Sequence, residues 1–466
     1  MNTTSPYPRL IVAGMSGNSG KTLLTLGLIF ALRERELQVC AFKKGPDYID
    51  AAWLSWASGR PARNLDTYMM GFQKCASSFS ASALPDGINI IEGNRGMFDG
   101  MDALGTHSTA ELAKNLNAPA LLVINATKVT RTAAAMVLGC LKLDPQVKIS
   151  GVILNHVSSA RHERVVREAI ETACGVRVFG CLPRLAGDSL LPARHLGLVT
   201  PYEHPSIHEL KCRLLELVRD RVDIASILAL ARGAPPFRAA EAIALDLPDA
   251  RGIRVGFLRD SALSFYYPEN LEVLGKSGAT LVAISPLTAV DLPLDLDLLY
   301  IGGGFPETHG ASLSANQSFL AAVRGMAQGG LPIYAECGGL MLLSQAIRWN
   351  GNRYPMAGVL PFEVEVLPAA QGHGYTELCV DQPNPFFAPG TVIRGHEFHY
   401  SRISTEGRLP DTACAVQRGT GCGYGRDGLV QGNVWASYTH LHALGTPEWA
   451  CGLLTAAKQY AGRKSG

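Results

Sequence analysis

The chain carries no excess of either charge: across 466 residues, 42 Lys and Arg stand against 40 Asp and Glu, a formal net charge of +2. That balance gives no electrostatic footing for nucleic acid, and no basic run or aromatic-interleaved patch supplies one. Long apolar runs are missing too. The longest, Leu23 to Leu32, is about half a membrane span and ends at Arg33. The segment Met1-Asn2-Thr3-Thr4-Ser5-Pro6 lacks the charged and apolar regions of a signal peptide. Close CxxC pairs are absent and the 11 cysteines are an odd number, which argues for reduced thiols rather than a disulfide framework or a zinc cluster. These absences predict a cytoplasmic protein with neither a membrane nor a nucleic-acid partner. Solenoid repeats and low-complexity tracts are absent as well.

What is present is an ordinary globular composition, 47% hydrophobic and 18% charged, over a length that predicts two or three domains. The first half alternates strand-like runs (Arg9 to Ala13, Val39 to Lys43, Ile88 to Glu92, Ala120 to Asn125, Ile149 to Asn155, Val176 to Cys181) with helical patterns (Leu23 to Arg35, Thr109 to Leu116, Thr130 to Leu141, Arg161 to Ala173). That alternation predicts an α/β unit with a parallel sheet covered on both faces. The pattern fails around Gly-Ala-Pro-Pro and an Ala-rich stretch ending Leu-Pro-Asp, so residues 233–250 read as a linker between domains at 1–232 and 251–466. A second β/α series follows at Ile253 to Leu258, Thr280 to Ile284, Leu296 to Ile301 and Pro332 to Ala335, and the chain becomes strand-rich after Met356.

Two segments carry chemistry. Ile11-Val12-Ala13-Gly14 is a strand that runs through Met15-Ser16-Gly17-Asn18-Ser19-Gly20-Lys21-Thr22 into a helix. Its glycines Gly14, Gly17 and Gly20 would let backbone N–H groups ring phosphate oxygens at a helix N-terminus. Lys21 would neutralise the terminal phosphates, and Thr22 would reach Mg²⁺. The strict pattern wants glycine at position 15, where Met stands; here it sits one residue earlier. Mg²⁺ needs hard oxygen ligands, and Asp47 and Glu92, beyond the second and third strands, are the candidates. As residues alone, either fits a helix cap or a solvated loop acid equally well.

In Ile333-Tyr334-Ala335-Glu336-Cys337-Gly338-Gly339-Leu340-Met341, an apolar strand breaks sharply into a helix at a cysteine. At such an elbow the helix N-terminus favours a thiolate. Upstream, Ile301-Gly302-Gly303-Gly304-Phe305-Pro306-Glu307 offers a second glycine turn that could complete an oxyanion hole with Gly338. The combination points to acyl transfer on a thiol.

Together these segments resemble the cobyrinic acid a,c-diamide synthases, which join a dethiobiotin-synthetase-like P-loop ATPase, a doubly wound parallel sheet, to a class I glutamine amidotransferase domain of flavodoxin-like α/β fold. The resemblance spans nearly the entire chain. It rests on Lys43…Gly45-Pro46-Asp47-Tyr48-Ile49-Asp50, Asn64-Leu65-Asp66, Glu92-Gly93…Phe98-Asp99-Gly100, Ser108-Thr109-Ala110-Glu111-Leu112-Ala113 and Gly151-Val152-Ile153-Leu154-Asn155. The second half adds Phe265-Tyr266-Tyr267-Pro268-Glu269-Asn270-Leu271, the two glycine motifs above, Gly395-His396-Glu397-Phe398-His399-Tyr400-Ser401 and Ala436-Ser437-Tyr438-Thr439-His440-Leu441-His442.

The resemblance implies a division of labour. Cys337 would attack the glutamine carboxamide, with His440 taking and returning the proton. Many class I amidotransferases place a carboxylate two residues after that histidine; His442 stands there, so a Cys-His dyad is expected. His442, His396 and His399 are read as packing or local hydrogen-bonding residues, with a substrate-channel role as the alternative. In the front domain ATP, held by Lys21, Thr22 and Asn155, would phosphorylate an acceptor carboxylate. Asn155 matches the position that reads the adenine edge. Lys43, Tyr48, Asp50, Asp66, Arg95, Asp99 and Ser108 fall on the acceptor-binding motifs. Ammonia would have to cross between the domains shielded from water.

The acceptor itself is less legible. The family acts on carboxylate side chains of corrin and related macrocycles. The loop Gly93-Asn94-Arg95-Gly96-Met97-Phe98 replaces a typical Gly-Val-Met-Gly-Leu-Phe, and Arg95 would set a cation near a polycarboxylate ring. Cobyrinate is the leading acceptor. The same amidation of siroheme for dissimilatory sulfite reductase, or of nickel-sirohydrochlorin, is the alternative. A non-catalytic scaffold is argued against by intact Cys337, His440, Lys21 and Thr22, and a plain dethiobiotin synthetase by the presence of a thiol domain. Whether two chains associate as a homodimer stays open.

Overall fold

The computed structural model describes residues 4–5, 7–184, 190–191, 193–194, 197–241, 243–404 and 410–464. The chain divides into two compact units, Met1–Ile243 and Ala244–Gly466.

The first unit is built on a seven-stranded parallel sheet. Its strands are β1 (Arg9–Gly14), β2 (Val39–Lys44), β3 (Arg63–Leu65), β4 (Ile88–Glu92), β5 (Ala120–Asn125), β6 (Ile149–Val157) and β7 (Val178–Pro183), in the spatial order β3-β2-β4-β1-β5-β6-β7. Strands β1, β2 and β4 are buried along their whole length, as expected when helices cover both faces and the strands read as continuous apolar runs. The order reverses beside β1, so loops leaving the carboxyl ends of β1, β2 and β4 meet at a switch point where ligands bind in open α/β sheets. Helix α1 (Lys21–Glu34) leaves β1 directly.

Two helices that the sequence pattern leaves unread lie beside this point. Helix α2 (Tyr48–Ser58) is capped by Asp47, whose side chain accepts from Asp50 N, and α3 (Thr67–Ser82) by Asp66, which accepts from Tyr68 N and Met69 N. Gly71, at φ 77°, interrupts α3 in a conformation that suits glycine. Part of the segment read as linker packs on this unit: Phe237–Arg238 pairs antiparallel with Thr4–Ser5, and buried Arg9 donates to Pro235 O at 2.8 Å.

The second unit has a ten-stranded mixed sheet. Parallel strands β8 (Arg254–Leu258), β9 (Thr280–Ile284), β10 (Leu298–Ile301) and β11 (Ile333–Glu336) stand in the order β9-β8-β10-β11. β11 then pairs in parallel with β12 (Val434–Ser437), and antiparallel strands from the last hundred residues extend the sheet beyond it. Glu336 is the register partner of Ser437. Among the described residues, no helix is long and apolar enough to cross a membrane.

Candidate active sites

In the first unit, the loop from Gly14 to Thr22 closes on itself at Gly14. A Cβ there would lie 2.3 Å from Ser19 Oγ and 2.9 Å from Lys21 Nζ, so position 14 must be bare. This is the physical reason the glycine stands one residue earlier than the strict pattern. Gly17 faces open space and leaves room for a phosphate. Gly20, at φ 94°, carries the turn into α1; a Cβ on it would sit 2.0 Å from Asn155 Nδ2. Asn155 donates from that nitrogen to Ser19 O at 2.9 Å and accepts from His156 N at 2.9 Å, so its amide braces the loop. Lys21 Nζ rests on Ser16 O (3.1 Å) and Arg95 O (2.8 Å), with desolvation and the neighbouring Lys43 drawing its pKa below the ordinary value.

Against this loop lies a buried charged cluster. Lys43 Nζ donates to Asp50 Oδ2 at 2.5 Å, Glu92 Oε1 at 2.8 Å and Gly93 O at 3.2 Å. Thr22 Oγ1 donates to the same Glu92 oxygen at 2.8 Å. The other Glu92 oxygen, Oε2, is buried with no hydrogen-bond partner, and burial raises the carboxyl's pKa. Asp47 is pushed up to about 7, first by desolvation and then by Asp50. Of the remaining acceptor-site candidates, Asp66 caps α3, Ser108 caps the helix Thr109–Asn115, and Asp99 accepts from Gly96 N at 2.8 Å. Tyr48 opens α2 as its first residue. Arg95 is exposed at φ 48°, and its carbonyl rather than its guanidinium meets Lys21. No group of three or more His, Cys, Asp or Glu among the described residues is arranged to hold a metal by itself. Mg²⁺ typically needs one or two carboxylates beside phosphates and waters, and the unpartnered Glu92 oxygen next to Thr22 fits that requirement.

In the second unit, Cys337 follows β11 at φ 46° and ψ −98°, a strained elbow for a non-glycine residue. Its N–H donates to Ser437 O at 2.7 Å. A thiolate favoured by a helix N-terminus is the sequence expectation, and burial works against it. The helix is only Gly338–Leu343, and burial, followed by Glu307, pushes the Cys337 thiol well up, against the downward pull of Gly338 N–H. The glycines converge as expected: a Cβ on Gly338 would lie 2.8 Å from Gly304 N, and one on Gly303 would lie 2.5 Å from His440 Cε1.

His440 is almost fully buried and carries a contact that the sequence does not suggest. Its Nδ1 lies 3.2 Å from Oε2 of Glu336, a carboxylate removed from solvent. Beside the expected Cys-His dyad the structure sets a buried carboxylate next to the histidine. His396 stacks on His440 with ring centroids 5.0 Å apart, and its Nδ1 is 3.3 Å from Tyr267 Oη. His442 lies 3.5 Å from Glu269, and His399 stacks on Tyr438 at 3.7 Å, so both pack locally. Asp427 is the other residue missed. Fully buried, it accepts from Tyr438 N (3.2 Å), Thr439 N (3.3 Å) and Thr439 Oγ1 (2.9 Å), and so holds the backbone leading into His440.

Comparison with known proteins falls on the same two units. Residues 10–199 match the family described as CobQ/CobB/MinD/ParA nucleotide binding domain, and residues 254–448 the CobB/CobQ-like glutamine amidotransferase domain. The chain is 43% identical over 452 residues to the cobyrinate a,c-diamide synthase of Magnetococcus marinus, covering 96% of each chain. It is 42% identical to that of Syntrophotalea carbinolica, over 94% of this chain and 96% of the relative. The Archaeoglobus fulgidus enzyme of the same name is 40% identical over 94% of each.

Proposed function

The chain belongs to the family of cobyrinate a,c-diamide synthases, and we propose on that footing that it uses ATP and glutamine to amidate the a and c side-chain carboxylates of cobyrinate. The relatives favour this acceptor over siroheme or metal-sirohydrochlorin. One observation carries the mechanism: a single chain holds both a phosphate loop closed on Lys21 and a cysteine elbow whose Gly338 meets a second glycine turn, Gly303 of which lies against the buried His440.

We assign carboxylate activation to residues 1–232. A carboxylate resists attack by ammonia until one oxygen becomes a leaving group, and transfer of the ATP γ-phosphoryl supplies it. Lys21 would leave its two carbonyl partners for the phosphates, while Gly17 admits them and Asn155 sets the loop and presents its remaining amide valences to adenine. Bound Mg²⁺ would neutralise phosphate charge at Thr22 and Glu92, with Asp47 nearby. Lys43 and Asp50 hold Glu92 in place for that role, and Tyr48, Asp66, Arg95, Asp99 and Ser108, at helix starts and in the loop after β4, would receive the acceptor.

Glutamine hydrolysis is assigned to residues 251–466. Cys337 would attack the carboxamide carbon while its proton passes to His440, and N–H groups of the Gly303, Gly304 and Gly338 turns would hold the oxyanion. The released ammonia, still neutral, would attack the acyl phosphate. All substrates are small molecules, and we place the reaction in the cytoplasm.

Mass spectrometry of the products tests the acceptor. Cobyrinate, siroheme and nickel-sirohydrochlorin are each supplied with ATP and glutamine, and the expected result is two amide-for-acid mass changes on cobyrinate alone. Amidation of another ring in its place overturns the assignment.

A further inference from the structure

Class I amidotransferases commonly draw their histidine's acid from two residues beyond it, and here that position is His442, which faces Glu269. The carboxylate on His440 instead comes from the residue immediately before the nucleophile. Parallel pairing of β11 with β12 puts Glu336 level with Ser437, three residues short of His440, and a one-residue slip would turn Glu336 to the opposite face of the sheet. A carboxylate withdrawn from water costs several kcal/mol unless it is paired, and Glu336 Oε2 lies 3.2 Å from His440 Nδ1. The imidazole meets Glu336 from β11 and has His396 stacked on its face from the strand Val392–His399, while the buried phenols of Tyr266, Tyr300 and Tyr334 share the surroundings of the carboxylate. His396 is held well below its ordinary pKa, chiefly by burial, so it brings no competing charge.

We infer that Glu336 is a positioning residue for glutamine hydrolysis, completing a Cys337–His440–Glu336 triad in which the acid precedes the nucleophile in sequence. This rests on the functional reading above. Glu336 accepts from Nδ1–H, which fixes the tautomer that leaves Nε2 bare. The Cys337 proton moves to Nε2 as sulfur bonds to the amide carbon; the C–N bond then breaks and that proton leaves with ammonia. Water, deprotonated by Nε2, releases glutamate and restores the thiol. Glu336 takes no proton at any step; its negative charge stabilises the imidazolium formed twice in each cycle. Burial pushes the Cys337 thiol up, so this support falls where the mechanism needs it.

The test is Glu336→Gln in the full chain, with glutamate release assayed. The expected result is a fall in kcat of about tenfold or more with KM for glutamine changed by less than about threefold. Glu336→Asp should recover part of kcat. A variant with kcat within about twofold of wild type overturns the proposal. If the variant does not fold, ¹⁵N-histidine spectra of the wild-type chain decide alone: a proton on Nδ1 of neutral His440 supports the triad, and a proton on Nε2 overturns it. A wild-type chain that releases no glutamate from glutamine refutes the functional reading instead, and the tautomer still tests Glu336.

Discussion

The Lys43 ammonium lies 2.8 Å from Oε1 of Glu92, and both side chains are withdrawn from water. Asp50, more exposed, shares the same ammonium. Removing one member of a buried pair strands the other. Lys43→Met should therefore destabilise the chain by about 3–5 kcal/mol, read from urea denaturation. Against the downward pull of burial, Asp50 and Glu92 raise the Lys43 pKa above its ordinary value. The same lysine holds down Glu92 and Asp47, which burial raises, so in Lys43→Met these carboxyls are raised further and the penalty should grow as pH rises and they lose their protons. A difference that does not grow with pH would show that the pair is not formed.

Cys337→Ala should abolish glutamine-driven amidation while leaving turnover with high external ammonium. Product formation under the two nitrogen sources is the measurement. Retained glutamine use would remove Cys337 as the nucleophile.

Burial and Glu307 push the Cys337 thiol up, so the ligand-free protein holds little thiolate at neutral pH. Alkylation of Cys337 by iodoacetamide should be slow at neutrality and still rising in strongly alkaline buffer, followed by mass mapping of the labelled peptide. A plateau reached near neutrality would mean that the thiolate is formed in advance.

Gly20 and Asn155 compete for the same space. Gly20→Ala should weaken ATP binding by tenfold or more, since the new methyl meets the Asn155 amide in a left-handed conformation costing about 1–2 kcal/mol. Adding Asn155→Ala should return only the part due to the clash, and calorimetric titration of ATP separates the two.

Asp427→Ala should cost about 3 kcal/mol or more, because it leaves the buried N–H groups of Tyr438 and Thr439 unpaired. Glutaminase kcat should fall with it, since those residues lead into His440. Thermal denaturation and glutamate release report the two effects.

The phosphate loop and the cysteine elbow were legible because each is local: a strand, a few glycines and a helix start, all within about ten residues. Glu336 and Asp427 were not. The partner of Glu336 lies 104 residues along the chain, and only the parallel register of Ile333–Glu336 on Val434–Ser437 brings a residue before the nucleophile against the histidine loop; Asp427 meets Tyr438 and Thr439 only 11 and 12 residues on, but across a turn that no motif marks. Tyr48–Ser58 and Thr67–Ser82 escaped the sequence reading for a different reason. Their motif residues read as ligand-binding loops, yet Asp47 and Asp66 turn out to be helix caps, and Gly71 breaks the second pattern midway. The thiolate expectation left out burial, which pushes the Cys337 thiol up against the pull of the Gly338 N–H.

Thr4–Ser5 clasping Phe237–Arg238, with Arg9 reaching to Pro235, means that the first unit begins and finishes at one spot on its own surface. A body so closed can be excised, or re-spliced with new ends, without rerouting any strand of its sheet.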